Sequence, residues 1–102
     1  MTVEAPAFAT LQLARVGDVL RVTIAHPRSE LNAVDETLHH DLTALFAYLR
    51  REDRARAVVL TGRGRAFSAG GDFGWFPTLR EPGRLDALRR DAKQLITDLL
   101  DV

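Results

Sequence analysis

Residues 62–72 read GRGRAFSAGGD, from Gly62 to Asp72, and hold four of the seven glycines in the chain. The run just upstream, Ala57, Val58, Val59 and Leu60, is wholly apolar and reads as a buried strand. An aromatic cluster, Phe73, Trp75 and Phe76, follows directly. A strand emptying into a glycine-rich turn aims backbone N–H groups outward, because glycine lets the main chain approach another molecule closely. Asp72 is placed to cap or precede a short helix, whose first N–H groups have no internal partner. Such groups suit a phosphate, a carboxylate or a developing oxyanion. On composition alone the stretch is equally a plain connecting loop.

Upstream of this turn, Thr10 to Val16 alternate apolar and polar, the period of a half-buried strand. Gly17-Asp18 signals a tight turn, and Val19 to Ala25 resumes the alternation with Leu20, Val22 and Ile24 on one face. The two runs predict a β-hairpin ended by Pro27. From about Val34 to Glu52 the apolar positions Val34, Leu38, Leu42, Leu45, Phe46 and Leu49 recur every three or four residues. That spacing predicts an amphipathic helix, with Asp35 or Asn32 at its start. With the strand at Ala57 to Thr61 it completes a βαβ unit, expected to be parallel. Downstream, Glu81-Pro82-Gly83 breaks the chain, and a second amphipathic helix runs from about Leu85 through Leu88, Ala92, Leu95, Ile96, Leu99 and Leu100. Its last turn carries Asp98 and Asp101, which oppose the helix dipole, and it stops at Val102 in mid-stripe. The pattern is that of an interrupted element, a domain cut short.

With 102 residues, 46% hydrophobic and 27% charged, the chain is an ordinary globular sequence of one domain. Formal net charge is zero, so no nucleic-acid partner is expected. The absence of cysteine excludes disulfides, thiolate metal sites and cysteine nucleophiles. No leader is visible in MTVEAPAFATLQL, and no apolar stretch nears the roughly 18–20 residues of a membrane helix. No membrane association is expected, and the default compartment is the cytoplasm.

Motif chemistry narrows further. The turn lacks GxxxxGK[ST], and the spacing of Gly62, Gly64, Gly70 and Gly71 does not fit GxGxxG. Arg63 and Arg65 could hold a phosphate, or be solvated loop arginines. His39 and His40 are adjacent and so point about 100° apart on a helix, which argues against a metal site. His26 reads as a strand-end residue. Ser29 and Ser68 lack GxSxG context, so a serine hydrolase is not expected. Trp75 and Phe76 on their own read as core. Asp72 is the one carboxylate beside the turn, and capping explains it better than acid–base work.

Three features in order, HPRSELNAVD after the hairpin, the strand AVVLTG and the turn GRAFSAGGDF, carry a family resemblance. Over nearly its whole length the chain resembles the N-terminal part of the enoyl-CoA hydratase/isomerase (crotonase) superfamily. The resemblance implies an α/β fold, a ββα-repeat spiral that binds acyl-CoA thioesters along the glycine-rich turn. It implies that the Gly71 N–H is one of two donors of an oxyanion hole for the thioester enolate. Glycine in place of the commoner alanine keeps that donor, since only the N–H is used. By the same resemblance Ala69 lies against the CoA adenine through its backbone, and Ser29, Glu30 and Leu31 contact the CoA moiety. Arg65 approaches its phosphates, Gly70 and Asp72 flank the donor, and Phe73 to Phe76, including Trp75, help line the acyl pocket. No cofactor is implied beyond the CoA of the substrate. The full-length form is expected to be a homo-oligomer, a trimer or dimer of trimers.

One departure limits this. The family's second oxyanion donor and its glutamate acid–base residues lie beyond the segment matched here. These 102 residues are therefore expected to bear the first donor without the acid or base, and to be inactive alone. The expected reaction of the whole enzyme is hydration of a 2-enoyl-CoA. The alternatives are isomerisation, acyl-CoA hydrolysis, or a non-catalytic CoA-binding or interaction module.

Overall fold

Alternation and the Gly17-Asp18 turn produce the hairpin in the expected register. In a computed structural model that describes residues 6–102, β1 (Leu11–Val16) pairs antiparallel with β2 (Val19–Ile24), Leu13 opposite Val22. The leader reading rests partly on residues 1–5, which lie outside the described residues. Gly17 adopts φ 60, the left-handed conformation a two-residue turn demands.

Helix α1 (Glu36–Leu49) begins at Asp35, whose side chain accepts a hydrogen bond from the Leu38 N–H. Of the two starting residues considered, Asp35 is the cap and Asn32 is not. Val34 stays outside the helix because it is committed to a bridge with Gly71. The apolar stripe of α1 covers one face of the sheet, and Leu20, Val22, Ile24, Leu38, Leu45, Phe46 and Leu49 form the core. Buried Asp41 pins the chain ahead of β1, accepting from the N–H groups of Ala9 and Thr10 and from Thr10 Oγ1 at 3.0, 2.8 and 2.6 Å.

Strand β3 (Ala57–Gly62) then pairs parallel with β2, Val22 opposite Leu60, giving the sheet order β1-β2-β3. This confirms the parallel βαβ unit and the α/β class. It corrects one expectation. β3 is not buried: it forms an edge of the sheet, its residues alternate between exposed and half-buried, and Val59 is 46% exposed. An apolar run alone does not tell a central strand from an edge covered by a helix on one face only.

Beyond the turn, a short 3-10 helix (Phe76–Arg80) leads to α2 (Arg84–Leu100), which packs against α1. The dipole conflict at the end of α2 is answered from the C-cap of α1, where Arg50 holds Asp98 and Asp101, each at 3.0 Å. Most of the apolar stripe of α2, including Leu85, Ile96, Leu99 and Leu100, faces solvent.

Candidate active site

The site is built where two segments far apart in sequence run side by side. Strand β2 ends at Ile24 and the chain turns through residues 26–34 before α1, while β3 ends at Gly62 and the chain turns through residues 63–72. Gly62 allows the second turn to fold tightly onto itself, since a Cβ there would stand 2.6 Å from Cα of Phe67. The two turns are laced together by backbone bonds. Ala69 N–H donates to Leu31 O at 2.8 Å, Val34 N–H to Gly70 O at 2.7 Å, and Asp72 N–H to Val34 O at 2.7 Å. Gly70 takes φ 95 to bring its carbonyl round to Val34.

Bridge geometry decides what is left over. In a parallel bridge one residue bonds to the neighbours of its partner, so the partner's own N–H and C=O point away. Val34 is that bonding residue and Gly71 is the partner. The Gly70 N–H is also satisfied, donating to Ser68 Oγ at 3.1 Å. Among the described residues, the Gly71 N–H is the one donor between 69 and 72 without a partner. It sits on an exposed residue.

The lacing depends on residues to which the sequence alone gave other roles. Asn32 is 1% exposed and holds φ 52. Its Oδ1 accepts from the His26 N–H at 3.0 Å, and its Nδ2 donates to Ala66 O at 3.1 Å and Arg63 O at 3.5 Å. Its own carbonyl accepts from Ser68 Oγ at 2.7 Å. His26 is more than a strand-end residue. It is buried, its Nδ1 accepts from the Arg28 N–H at 3.1 Å, and so Nε2 carries the proton donated to Asp35 Oδ2 at 2.9 Å. Partial burial pulls the Asp35 carboxyl upward, but the N–H of Leu38, His26 and Arg28 outweigh it and hold the carboxyl below its ordinary value. The sequence signal for this brace was available in the Asn and Asp of LNAVD, types that favour turns and caps.

Each expected site residue can now be placed. Ser29 is half-buried and bracing, its Oγ accepting from the Ala33 N–H at 3.0 Å. Leu31 and Ala69 are joined as above, with the Ala69 carbonyl uncommitted among the described residues. Glu30, Arg63, Gly64 and Arg65 line one shallow cleft of about 250 Å³ at the far end of the turn. Arg63 donates to His26 O at 3.1 Å, while Arg65 is exposed. Phe73, 85% exposed, meets Phe76 edge-on at 6.1 Å, and Phe76 in turn lies against Gly71.

Two placements differ from expectation. Asp72 caps no helix: the 3-10 helix starts after Trp75 with no side-chain cap, and the Asp72 carboxyl lies over Gly74 instead. The free donor is therefore supplied by a bridge edge, not by a helix N-terminus. Trp75 stacks on Phe76 at 6.5 Å and also meets His39, its ring tilted by 37° at 5.7 Å, in a separate cavity of about 120 Å³ between α1 and α2.

That second cavity has a pH signature of its own. His39 Nε2 is buried with no hydrogen-bond partner among the described residues. Burial pushes the imidazole below its ordinary value, against an opposing pull from Asp91. The neutral ring is thus the folded form, and its contribution is complete above the ordinary histidine value near 6.5 and is lost as pH falls through the lowered one. Trp75 is the chain's one tryptophan and reports this directly. Its emission is expected to be quenched by the charged ring with a midpoint below the ordinary histidine value, and His39→Gln to abolish the transition. A titration unchanged by that substitution would refute the assignment.

The two laced turns, the free N–H and the basic cleft can be set beside known proteins. The enoyl-CoA hydratase/isomerase family profile matches residues 15–102. The chain belongs to that family. It is similar to the mevalonyl-coenzyme A hydratase SIDH of Beauveria bassiana, 46% identical over 54 residues, or 53% of this chain and 19% of that one. Among solved structures it resembles an enoyl-CoA hydratase/isomerase from Mycobacterium paratuberculosis with TM-score 0.77 at 36% identity, over 88% of this chain and 36% of that one. It also resembles an enoyl-CoA hydratase/carnithine racemase from Magnetospirillum magneticum with TM-score 0.75 at 26% identity, over 90% and 35%. The chain therefore spans about a fifth of the curated relative and about a third of the solved structures. Among the described residues no helix is long and apolar enough to cross a membrane.

Proposed function

We propose that these residues form the substrate-holding part of an enoyl-CoA hydratase, an enzyme that adds water across the 2,3 double bond of a 2-enoyl-CoA. One observation carries the reading: on exposed Gly71 the N–H is unpaired among the described residues, while the N–H groups of Ala69, Gly70 and Asp72 are all taken. The thioester carbonyl accepts a hydrogen bond from this N–H, which strengthens as negative charge moves onto the oxygen in the enolate. A donor fixed by its backbone needs no reorganisation as that charge develops, the usual source of oxyanion stabilisation.

The rest of the ligand follows the lacing. Arg65, beside Glu30 in the shallow cleft, suits the phosphates of CoA, as a guanidinium pairs two phosphate oxygens at once. The free carbonyl of Ala69 is available to the adenine amino group, and the Ser29 to Leu31 turn forms the opposite bank. Asp72 is turned onto Gly74 and is not used as acid or base. The second oxyanion donor and the groups that move the proton and water belong to the portion that completes the relatives' length.

The test is to incubate a protein of the relatives' full length, containing these residues, with crotonyl-CoA. The expected product is the 3-hydroxyacyl thioester, seen as loss of the conjugated-thioester absorbance and the gain of one water in mass. Unchanged substrate, a shifted double bond or free CoA would overturn the hydratase reading, the last two in favour of an isomerase or a hydrolase.

A further inference from the structure

One rung of the lacing between the two turns is made by a side chain. Backbone bonds join the turns at Leu31 and Val34, but between them Asn32 holds φ 52, which breaks the extended run. Among the described residues no backbone N–H reaches the Asn32 carbonyl; Ser68 Oγ donates to it instead, at 2.7 Å. The same hydroxyl accepts from the Gly70 N–H at 3.1 Å. A hydroxyl has one proton and two lone pairs, so it makes both bonds at once, and each polarises the other. Ser68 thereby ties Gly70 to Asn32. Gly70 in turn decides where the Gly71 N–H points, because that N–H shares a rigid peptide plane with the Gly70 carbonyl. Packing does not hold Gly70: a Cβ there would meet nothing within 4 Å, and at φ 95 glycine is free to turn. Two hydrogen bonds hold it, the carbonyl to the Val34 N–H at 2.7 Å and the N–H to Ser68.

Resting on the reading of Gly71 as the donor to the thioester oxygen, we infer that Ser68 is a positioning residue that aims this donor without touching substrate. Its hydroxyl fixes the Gly70 N–H on one side of the Cα while Val34 fixes the carbonyl on the other, so both dihedrals of Gly70 are set. The Gly71 N–H is then held in one direction before the substrate arrives, and it needs no reorganisation as charge develops. Ser68 also occupies the Gly70 N–H, so the thioester oxygen meets a single donor from this turn. Removing the hydroxyl leaves the Gly71 N–H in place but poorly aimed.

The experiment takes a protein of the relatives' full length, containing these residues, beside its Ser68→Ala, Ser68→Cys and Ser68→Thr variants. Threonine keeps the hydroxyl, and its added methyl has room in an apolar cavity of about 250 Å³ that Ser68 borders with Leu42 and Leu60. Two quantities are read: kcat and KM for crotonyl-CoA, and the infrared carbonyl stretch of bound butyryl-CoA, isotope-labelled at the thioester carbonyl. That stretch falls as the oxygen accepts a stronger hydrogen bond. Ser68→Ala should lower kcat about tenfold with little change in KM, less than the about 10²-fold of deleting a donor, and should return the stretch toward that of free thioester. Ser68→Thr should keep most of both, and Ser68→Cys, a weaker partner, should fall between. The order of serine, threonine and cysteine decides the matter even if the alanine variant does not fold. Equal kcat and stretch across the series, a change confined to KM, or a loss in threonine as large as in alanine would overturn the inference alone. Butyryl-CoA bound with a lowered stretch but crotonyl-CoA left unchanged would remove the hydratase reading, and the stretch in the variants then decides the inference. No binding of butyryl-CoA, or binding with an unshifted stretch, would overturn the Gly71 reading and the inference with it.

Discussion

Asn32→Ala is expected to lower the unfolding free energy by about 3 kcal/mol, a large share of the roughly 5–15 kcal/mol that a domain has in all. The side chain is buried and joins both turns, so its loss leaves the His26 N–H and the Ala66 carbonyl without the bonds of 3.0 and 3.1 Å they now make. A buried group left unsatisfied costs about 1–3 kcal/mol. Alanine also tolerates the φ of 52 less well than asparagine, whose short polar side chain visits the left-handed region routinely. A urea-unfolding midpoint checks the sum, with two companions to divide it. Asn32→Gly removes the backbone strain but not the lost bonds, and should recover only a minority of the loss. Asn32→Asp keeps the acceptor for His26 and sets a carboxylate oxygen against the Ala66 carbonyl, so it should remain destabilised. An Asn32→Ala midpoint close to that of the unaltered protein would show that the two turns do not depend on this brace.

Asn32 also marks the boundary of what the sequence makes legible. Local rules suffice for the hairpin, where alternation and Gly17-Asp18 set the register, and for α1, where the apolar period and Asp35 set face and start. They fail where a residue's partners are distant. The Asn32 side chain reaches Arg63 and Ala66, 31 and 34 positions away, and no periodicity encodes that. Val34 illustrates the same limit: its apolar character fits the helical stripe, but its backbone is claimed by Gly70 and Asp72. Asp72 reads as a cap because its type favours caps, whereas its N–H is spent on Val34. β3 reads as buried because its composition is apolar, whereas position at the sheet edge sets its exposure. The glycine-rich turn itself was visible as a candidate site from composition. That its Gly71 N–H is the free one required knowing which segment lies alongside.

Gly71→Pro addresses that donor, and in the catalytically complete protein it is expected to lower kcat by at least about 10²-fold, the scale on which removal of one oxyanion-hole donor is felt. Proline deletes the N–H and leaves the carbonyl. Because the Gly71 N–H has no partner within the described residues, its removal breaks none of the lacing bonds, which belong to Val34, Ala69, Gly70 and Asp72. Two side effects accompany it. The ring meets Phe76, and a residue preceding proline is driven toward extended conformations, whereas Gly70 sits at φ 95. Gly71→Ala controls for the first, since it meets Phe76 in the same place while keeping the N–H, and it should retain most of the turnover. Thermal unfolding of both variants controls for the second. A large fall in kcat for proline beside a small one for alanine, at comparable stability, assigns the effect to the lost hydrogen bond. Equal falls would move the effect to the displaced Phe76 ring, and undiminished turnover in Gly71→Pro would remove Gly71 from the oxyanion hole altogether.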